Sequence, residues 1–242
     1  MSRFFVPPES VTGQRIMIRG EELHHARDVM RLVKGDAIVV FDGSGKEYHG
    51  IIEGVGKQEM AVAINKTVER RGAGARLTLV QALPKSDKMD LIVEKATELG
   101  VDRIIPVITE RSVVRADEKK AVSKVSRWRK ISLVASKQCG RTKMPEICDI
   151  ISFGGSLEKV RDSELKIIPC LYEEAVGFKE ALSGKKPGSA VIFIGPEGDF
   201  TTKEVDAAKG TGFVPVSLGD EILRSETAAI CALSILNYEL RW

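Results

Sequence analysis

Two glycine-bearing segments near the C-terminus have residue types and spacing suited to holding a small molecule. They are Ile194-Gly195-Pro196-Glu197-Gly198-Asp199-Phe200 and Leu218-Gly219-Asp220-Glu221-Ile222-Leu223-Arg224-Ser225-Glu226-Thr227-Ala228. Glycine has no β-carbon, so the backbone amides of both segments can approach a ligand closely. A phosphate loop would add a lysine followed by Ser or Thr, and a dinucleotide loop would read G-x-G-x-x-G; neither pattern occurs at these corners. The expected ligand is therefore not held in a phosphate cradle. Taken alone, Gly195-Pro196-Glu197-Gly198 is equally compatible with a plain turn, because Gly-Pro pairs punctuate loops. No Gly-x-Ser-x-Gly elbow points to hydrolase chemistry. The histidines, His24, His25 and His49, have no cysteine partners at ligand spacing, and adjacent helical histidines point in different directions, so no metal site is expected.

Each segment follows a short apolar run and opens a helix. Ala190 to Ile194 and Phe213 to Leu218 read as buried strands, and Thr201-x-x-Glu204 is a capping-box pattern. Strand-to-helix corners of this kind lie at the carboxyl ends of strands, where α/β sheets bind small molecules. Upstream the same alternation recurs. Leu77 to Leu83 is β-like, Lys88 to Leu99 is an amphipathic helix ended by Gly100, Arg103 to Ile108 is the next strand, and Leu165 to Tyr172 another. A mostly parallel sheet covered on both faces follows from that order. The last helix, about Ser225 to Leu240, is apolar almost all round and needs cover on more than one side, from its own subunit or from a second copy.

The first seventy residues differ. Ile16 to Ile18, Ala37 to Phe41, Tyr48 to Ile52 and Met60 to Ile64 have strand character, and one helix is expected from about Glu21 to Leu32. That set makes a small barrel. Arg70-Arg71-Gly72-Ala73-Gly74-Ala75-Arg76 reads as a linker, giving domains at 1–72 and 73–242.

The chain has 242 residues, 43% of them hydrophobic, enough for a packed core. Four cysteines at 139, 148, 170 and 231 show neither C-x-x-C pairs nor disulfide-scaffold density, so free thiols in a reducing cytosol are expected. No apolar run suits a signal peptide or a membrane span, so a soluble cytoplasmic protein is expected. Net charge is only +3, but Arg111 to Lys143 carries 11 lysines and arginines against Asp117 and Glu118. That is a local excess of nine positive charges, leaving −6 on the rest of the chain. Such concentration is the footprint of a polyanion site. It is also compatible with a solvated helix face, since Val122, Val125, Trp128 and Ile131 recur every three residues.

The glycine segments resemble the S-adenosylmethionine signature of the SPOUT methyltransferases, and more narrowly the bacterial 16S ribosomal RNA uridine-N3 methyltransferases. The resemblance rests on Gly195-Pro196-Glu197-Gly198 followed by Leu218-Gly219-x-x-Ile222-Leu223-Arg224-x-Glu226-Thr227-Ala228. It extends through Arg3-Phe4-Phe5, Met30-Arg31-Leu32 with Gly35-Asp36, Lys95-Ala96-Thr97-Glu98-Leu99-Gly100, Glu110-Arg111-Ser112 and Gln138-Cys139-Gly140-Arg141. Asp199 stands where that family usually has another glycine, and Lys137 where an acidic residue is common. The resemblance implies a PUA-like β-barrel at 1–72, an α/β SPOUT domain at 73–242 with a C-terminal trefoil knot, a homodimer, and a substrate in 16S rRNA of the small subunit.

It also implies a reaction. The sulfonium of S-adenosylmethionine is an activated methyl donor. Uridine N3 must lose its proton, and the resulting anion must be stabilised, which requires a base and a cation. Arg224 is the expected cation, although its fork could equally hold a phosphate or the cofactor carboxylate. Glu197 and, less favourably, Glu226 are the candidate carboxylate bases, with water or hydroxide as the alternative. The cofactor is expected among Gly195, Glu197, Gly198, Leu218, Gly219, Ile222, Leu223 and Ala228, completed by Leu171 and Glu173. RNA contacts are expected at Arg3, Arg27, Arg31, Arg111, Arg115, Gln138 and Arg141. Two rivals stay open: methylation of a ribose 2′-oxygen or another base, and a non-catalytic RNA-binding assembly factor.

Overall fold

A computed structural model describes residues 2–69, 74–85, 88–112, 118–172 and 174–241. By internal contacts the chain forms two compact units, Met1–Gly72 with Ser136–Met144, and Ala73–Ala135 with Pro145–Trp242. Residues 70–73 of the expected linker, together with Arg115 and Glu173, lie outside the described residues.

The first unit contains β1 (Arg3–Phe5), a 3-10 turn at Pro8–Ser10, β2 (Val11–Thr12), β3 (Arg15–Arg19) and helix α1 (Gly20–His24). It continues through β4 (Ala37–Phe41), β5 (Lys46–Val55) and β6 (Glu59–Glu69). Among the described residues these strands form one sheet in the order β1-β4-β5-β6-β3-β2. Register shifts at His49/Gly50 and Ile52/Gly54 bend the long β5–β6 pair, as bulges do. Phe4, Ile16, Ile18, Ile38, Val40, Tyr48, Met60 and Val62 fill its core. The helix expected from Glu21 to Leu32 is shorter. After α1 it widens into a π turn at His25–Val29, and Arg31 takes a left-handed φ of +55° that a helix cannot continue through. Residues Ser136–Met144 join this unit through specific bonds: Lys137 Nζ reaches Glu22 Oε1 at 2.7 Å, and Arg3 Nη2 reaches the Gly140 carbonyl at 3.2 Å. Sequence order alone places them in the second unit.

The second unit runs β7 (Arg76–Ala82), α2 (Lys88–Glu98), β8 (Arg103–Ile108), α3 (Glu118–Cys139), β9 (Glu146–Ile147), β10 (Ile151–Ser152) and α4 (Phe153–Lys159). It is completed by β11 (Leu165–Pro169), β12 (Val176–Gly177), α5 (Phe178–Leu182), β13 (Ser189–Ile194), α6 (Thr202–Gly210), β14 (Val214–Ser217) and α7 (Ser225–Arg241). All pairings among its described strands are parallel, in the order β10-β8-β7-β13-β11-β14-β12 with β9 beside β8. Successive strand residues face opposite sides. Leu77, Leu79, Ile104, Ile167 and Ile192 therefore pack with α2, α3 and α7 on one face. Val80, Ile105, Ile168, Val191 and Phe193 pack with α4 and α6 on the other. This is why β13 reads Ala-Val-Ile-Phe-Ile without alternation: both of its faces are buried. On α3, Val125 and Trp128 are buried whereas Val122 is exposed, and Arg127, Arg129 and Lys130 lie on the exposed side.

Candidate functional site

Four neighbouring strands end at one edge. Gln81 of β7 pairs with Ile194 of β13, Ile167 of β11 with Ile192, and Pro169 of β11 with Val216 of β14. The loops that leave β11, β13 and β14 consequently converge, and they bound a cleft of about 260 Å³. From the two motif segments, Gly195, Glu197, Leu218, Gly219, Ile222, Leu223, Arg224 and Ala228 line this cleft. Leu171 joins them from the loop after β11, whereas Gly198 sits behind the lining, with Arg111 side-chain atoms 3.5–3.6 Å from where its β-carbon would be.

Local bonds explain how such irregular backbone holds its shape. Gly219 has a φ of +130°, which only glycine adopts without strain. The Ser217 hydroxyl accepts from the Gly219 N–H at 3.2 Å and donates to its carbonyl at 3.0 Å. The Ser225 hydroxyl, at the start of α7, donates to the Gly195 carbonyl at 2.6 Å and accepts from Gln81 Nε2 at 3.0 Å. One hydroxyl thus ties β7, the Gly195 loop and α7 together. Asp199 has a φ of +58°. Aspartate tolerates this region better than most residues because its short carboxylate can bond nearby backbone. It does so here: Oδ1 accepts from Phe200 N–H at 2.8 Å and Oδ2 from Leu171 N–H at 2.9 Å. Asp199 thus holds the left-handed turn and latches it to the neighbouring loop.

The charged groups are partly committed. Glu197 accepts from the Lys85 N–H at 3.0 Å and from Lys88 Nζ at 3.1 Å. Burial pushes its pKa up, but its own backbone N–H, Lys88 and the Lys85 N–H together outweigh that and hold it below the usual carboxylate range. Lys88 also lies 3.3 Å from Glu226 Oε2, and hydrogen bonding to Glu197, opposed by burial and helped by Glu226, raises its pKa. One ammonium therefore bridges the two candidate bases. Arg224 is exposed on the rim of the cleft. Cys170 also lines it, but burial, then the Asp199 charge, pushes its thiol up to about 12, which leaves it unreactive at neutral pH.

The residues expected to touch RNA are scattered and differently engaged. Arg3 is largely buried, paired with Glu47, stacked over Phe41 at 5.1 Å and bonded to the Gly140 and Arg141 carbonyls. Arg27 is held by Asp28 and by the Lys57 carbonyl at 2.8 Å. Arg141 is half-buried and bonds the Lys143 carbonyl, while Arg31 and Gln138 are exposed. Arg111 does not point away from the cleft region: its Nη1 donates to the Gly198 carbonyl at 2.6 Å. Sequence reasoning missed Lys88, Ser225 and Gln81. Lys88 meets Glu197 from 109 residues away and the serine lies inside the quoted motif, so spacing carries no signal for the first and only position for the second.

Residues 72–237 match the model of the RNA methyltransferase domain, and residues 18–65 that of the RNA methyltransferase PUA domain. The chain belongs to this family. At 35% identity it is similar to the ribosomal RNA small subunit methyltransferase E of Bacillus subtilis, over 99% of this chain and 97% of that protein. A putative methyltransferase of Legionella pneumophila, solved with S-adenosylmethionine bound, is 33% identical and superposes with a TM-score of 0.86, covering 98% of this chain and 96% of that one. The ribosomal RNA small subunit methyltransferase E of Neisseria gonorrhoeae, solved with the same cofactor, is 30% identical with a TM-score of 0.88, covering 98% and 97%. In this RNA methyltransferase the cleft at the ends of β11, β13 and β14 lies within the matched domain, at the carboxyl edge of its parallel sheet. Among the described residues no His, Cys, Asp and Glu cluster could hold a metal, and no helix is long and apolar enough to cross a membrane.

Proposed function

We propose that this chain methylates N3 of a specific uridine in 16S rRNA, using S-adenosylmethionine held in the cleft. The observation that carries the reading is the convergence of both glycine segments on one cleft at the carboxyl edge of a parallel sheet. The lining suits the cofactor. Leu171 and Ile222 stand 70% and 77% exposed at its rim, apolar side chains that an adenine ring would cover. Glu197, Asp199 and Glu221 outnumber Arg224 there, a balance that favours a cationic sulfonium. Gly195, Gly198 and Gly219 keep the backbone open, and Leu218, Leu223 and Ala228 complete the proposed pocket.

The cofactor supplies an activated methyl group; the chain's own residues must orient the base and manage one proton. Arg224 stabilises the uridine anion as N3 loses its proton, acting where charge develops. Glu197 is the weaker of the possible bases, because its hydrogen bonds hold it ionised and lower its proton affinity. Its role in the proposal is to anchor the Gly195 loop to Lys85 and Lys88, and hydroxide from solvent removes the proton. Residues 1–72 bind RNA as the PUA-like domain and 73–242 form the catalytic domain, knotted where residues 218–224 pass the Gly195 loop. Arg31, Gln138, Arg141 and Arg115 are the RNA contacts proposed first.

The working form is proposed to be a cytoplasmic homodimer acting on the small ribosomal subunit. Half-buried Ile230 and Cys231, with Tyr238 71% exposed, give α7 a partly uncovered side that a second copy would bury. The test is incubation with methyl-labelled S-adenosylmethionine and unmethylated small subunits, followed by nucleoside mass spectrometry. Label in 3-methyluridine supports the reading. Label in a ribose methyl or another base keeps the fold but replaces the specificity, and absence of transfer to subunits or naked RNA leaves a binding factor.

A further inference from the structure

Arg111 is a positioning residue for the cofactor loop, we infer, and not a contact to RNA. Its place in a basic stretch predicts a phosphate partner; its bonds give it another job. Nη1 lies 2.6 Å from the Gly198 carbonyl and 3.4 Å from the Phe200 carbonyl, so one guanidinium spans the loop that follows β13. The stem of the same side chain packs against Gly198, with Cδ and Cβ 3.5 and 3.6 Å from where a β-carbon would be.

The turn that carries Arg111 is itself fixed. Thr109 N–H donates to the Ser112 hydroxyl at 3.1 Å, and the two hydroxyls lie 2.7 Å apart. The Glu110 N–H donates to Glu204 Oε1 at 2.9 Å, while Oε2 of that buried carboxylate accepts from the Thr201 N–H at 2.9 Å. Glu204 thereby joins the turn after β8 to the far end of the same loop, and Arg111 joins it at the near end. Residues 198–201 are held on both sides. A carbonyl that accepts a charged donor is aimed by it, and aiming the Gly198 and Phe200 carbonyls fixes the directions of the adjoining N–H groups. Asp199, between them, is the residue that latches Leu171 at the cleft.

This rests on the cofactor reading of the cleft, and the experiment separates the two. Arg111→Ala and Arg111→Lys are compared with the unaltered protein for S-adenosylmethionine affinity without RNA, for RNA affinity without cofactor across a salt series, and for amide hydrogen exchange of residues 198–201. Positioning predicts a cofactor Kd raised about tenfold by Ala and less by Lys, which keeps a charged donor for the carbonyls but lacks the rigid planar guanidinium that aims it. The KM for cofactor rises with it while kcat at saturation stays within about twofold, and loop amides exchange faster. RNA affinity and its salt slope stay unchanged. Unaltered cofactor affinity and exchange, or an RNA salt slope reduced by about one, overturns the inference. If the unaltered protein binds no S-adenosylmethionine, the cofactor reading fails, and the exchange rates alone decide for or against the clamp.

Discussion

Replacing Asp199 separates what its backbone angle costs from what its carboxylate contributes. In Asp199→Ala both bonds, to Phe200 N–H at 2.8 Å and Leu171 N–H at 2.9 Å, are lost, and the φ of +58° remains with a β-carbon. The Phe200 bond is partly buried and the Leu171 bond exposed, and both involve a charged acceptor, so about 1 kcal/mol apiece is the working magnitude. Alanine is also less tolerant of the left-handed region than aspartate, adding a few tenths, for a total loss of about 2–3 kcal/mol. Asp199→Gly loses the same two bonds but relieves about 1 kcal/mol of left-handed strain, so it costs about 1–2 kcal/mol. Asp199→Asn keeps one acceptor oxygen and the tolerant side chain and costs about 1 kcal/mol. Urea denaturation at pH 7 measures the series, with the slope checked for constancy. Cofactor affinity should fall in the same order, because Leu171 is released at the rim. If glycine is as damaging as alanine, the turn carries no strain; if asparagine equals alanine, the latch carries no weight; either result refutes the decomposition.

Arg224→Ala should lower kcat by about a hundredfold or more, the usual cost of removing one donor to a developing anion, whereas Glu197→Gln should leave kcat at saturating cofactor within about threefold. Steady-state rates on small subunits read both, and a Glu197→Gln kcat reduced a hundredfold would return that carboxylate to the role of base. Ser225→Ala strands the Gly195 carbonyl and removes one of two acceptors of fully buried Gln81 Nε2, which keeps the Ala82 carbonyl at 2.9 Å, and should cost about 1–2 kcal/mol by denaturation. In the first unit, burial and then the bond to Asp42 raise Tyr48 to about 12. A raised tyrosine keeps its proton in the folded state after the unfolded chain has lost it. Its contribution is therefore complete below pH 10 and declines between pH 10 and 12, by up to about 2 kcal/mol. Tyr48→Phe should flatten that decline in urea titrations at pH 9 to 11.5.

The sheet was legible because its signal is local. β8 falls at Arg103 to Ile108 as its apolar run predicts, and β13 differs only by Ser189, since burial on both faces leaves a plain apolar run. The motif glycines also sit where strand ends require them. What periodicity could not convey is partnership across the chain. Glu197 reads as a free carboxylate until Lys88 is placed beside it, and Arg111 reads as one more cation until the Gly198 carbonyl appears. Arg3 reads as an RNA contact, yet it is paired with Glu47 and stacked over Phe41. The helix expected to Leu32 failed for a different reason: helical spacing persists through His25–Val29, but the hydrogen bonding has slipped to the wider π pattern.

The Ser225 hydroxyl has a consequence for the order of biosynthesis. It joins Gln81 and Gly195, 114 residues apart, and it belongs to α7, which follows every described strand in the chain. Most of the parallel sheet can assemble on the emerging chain, but the cleft has no closing bond until α7 arrives. A chain cut before residue 225 therefore retains its strands without a working cleft. Capture of cofactor by chains truncated at successive lengths should begin abruptly only once residues 225–241 are included.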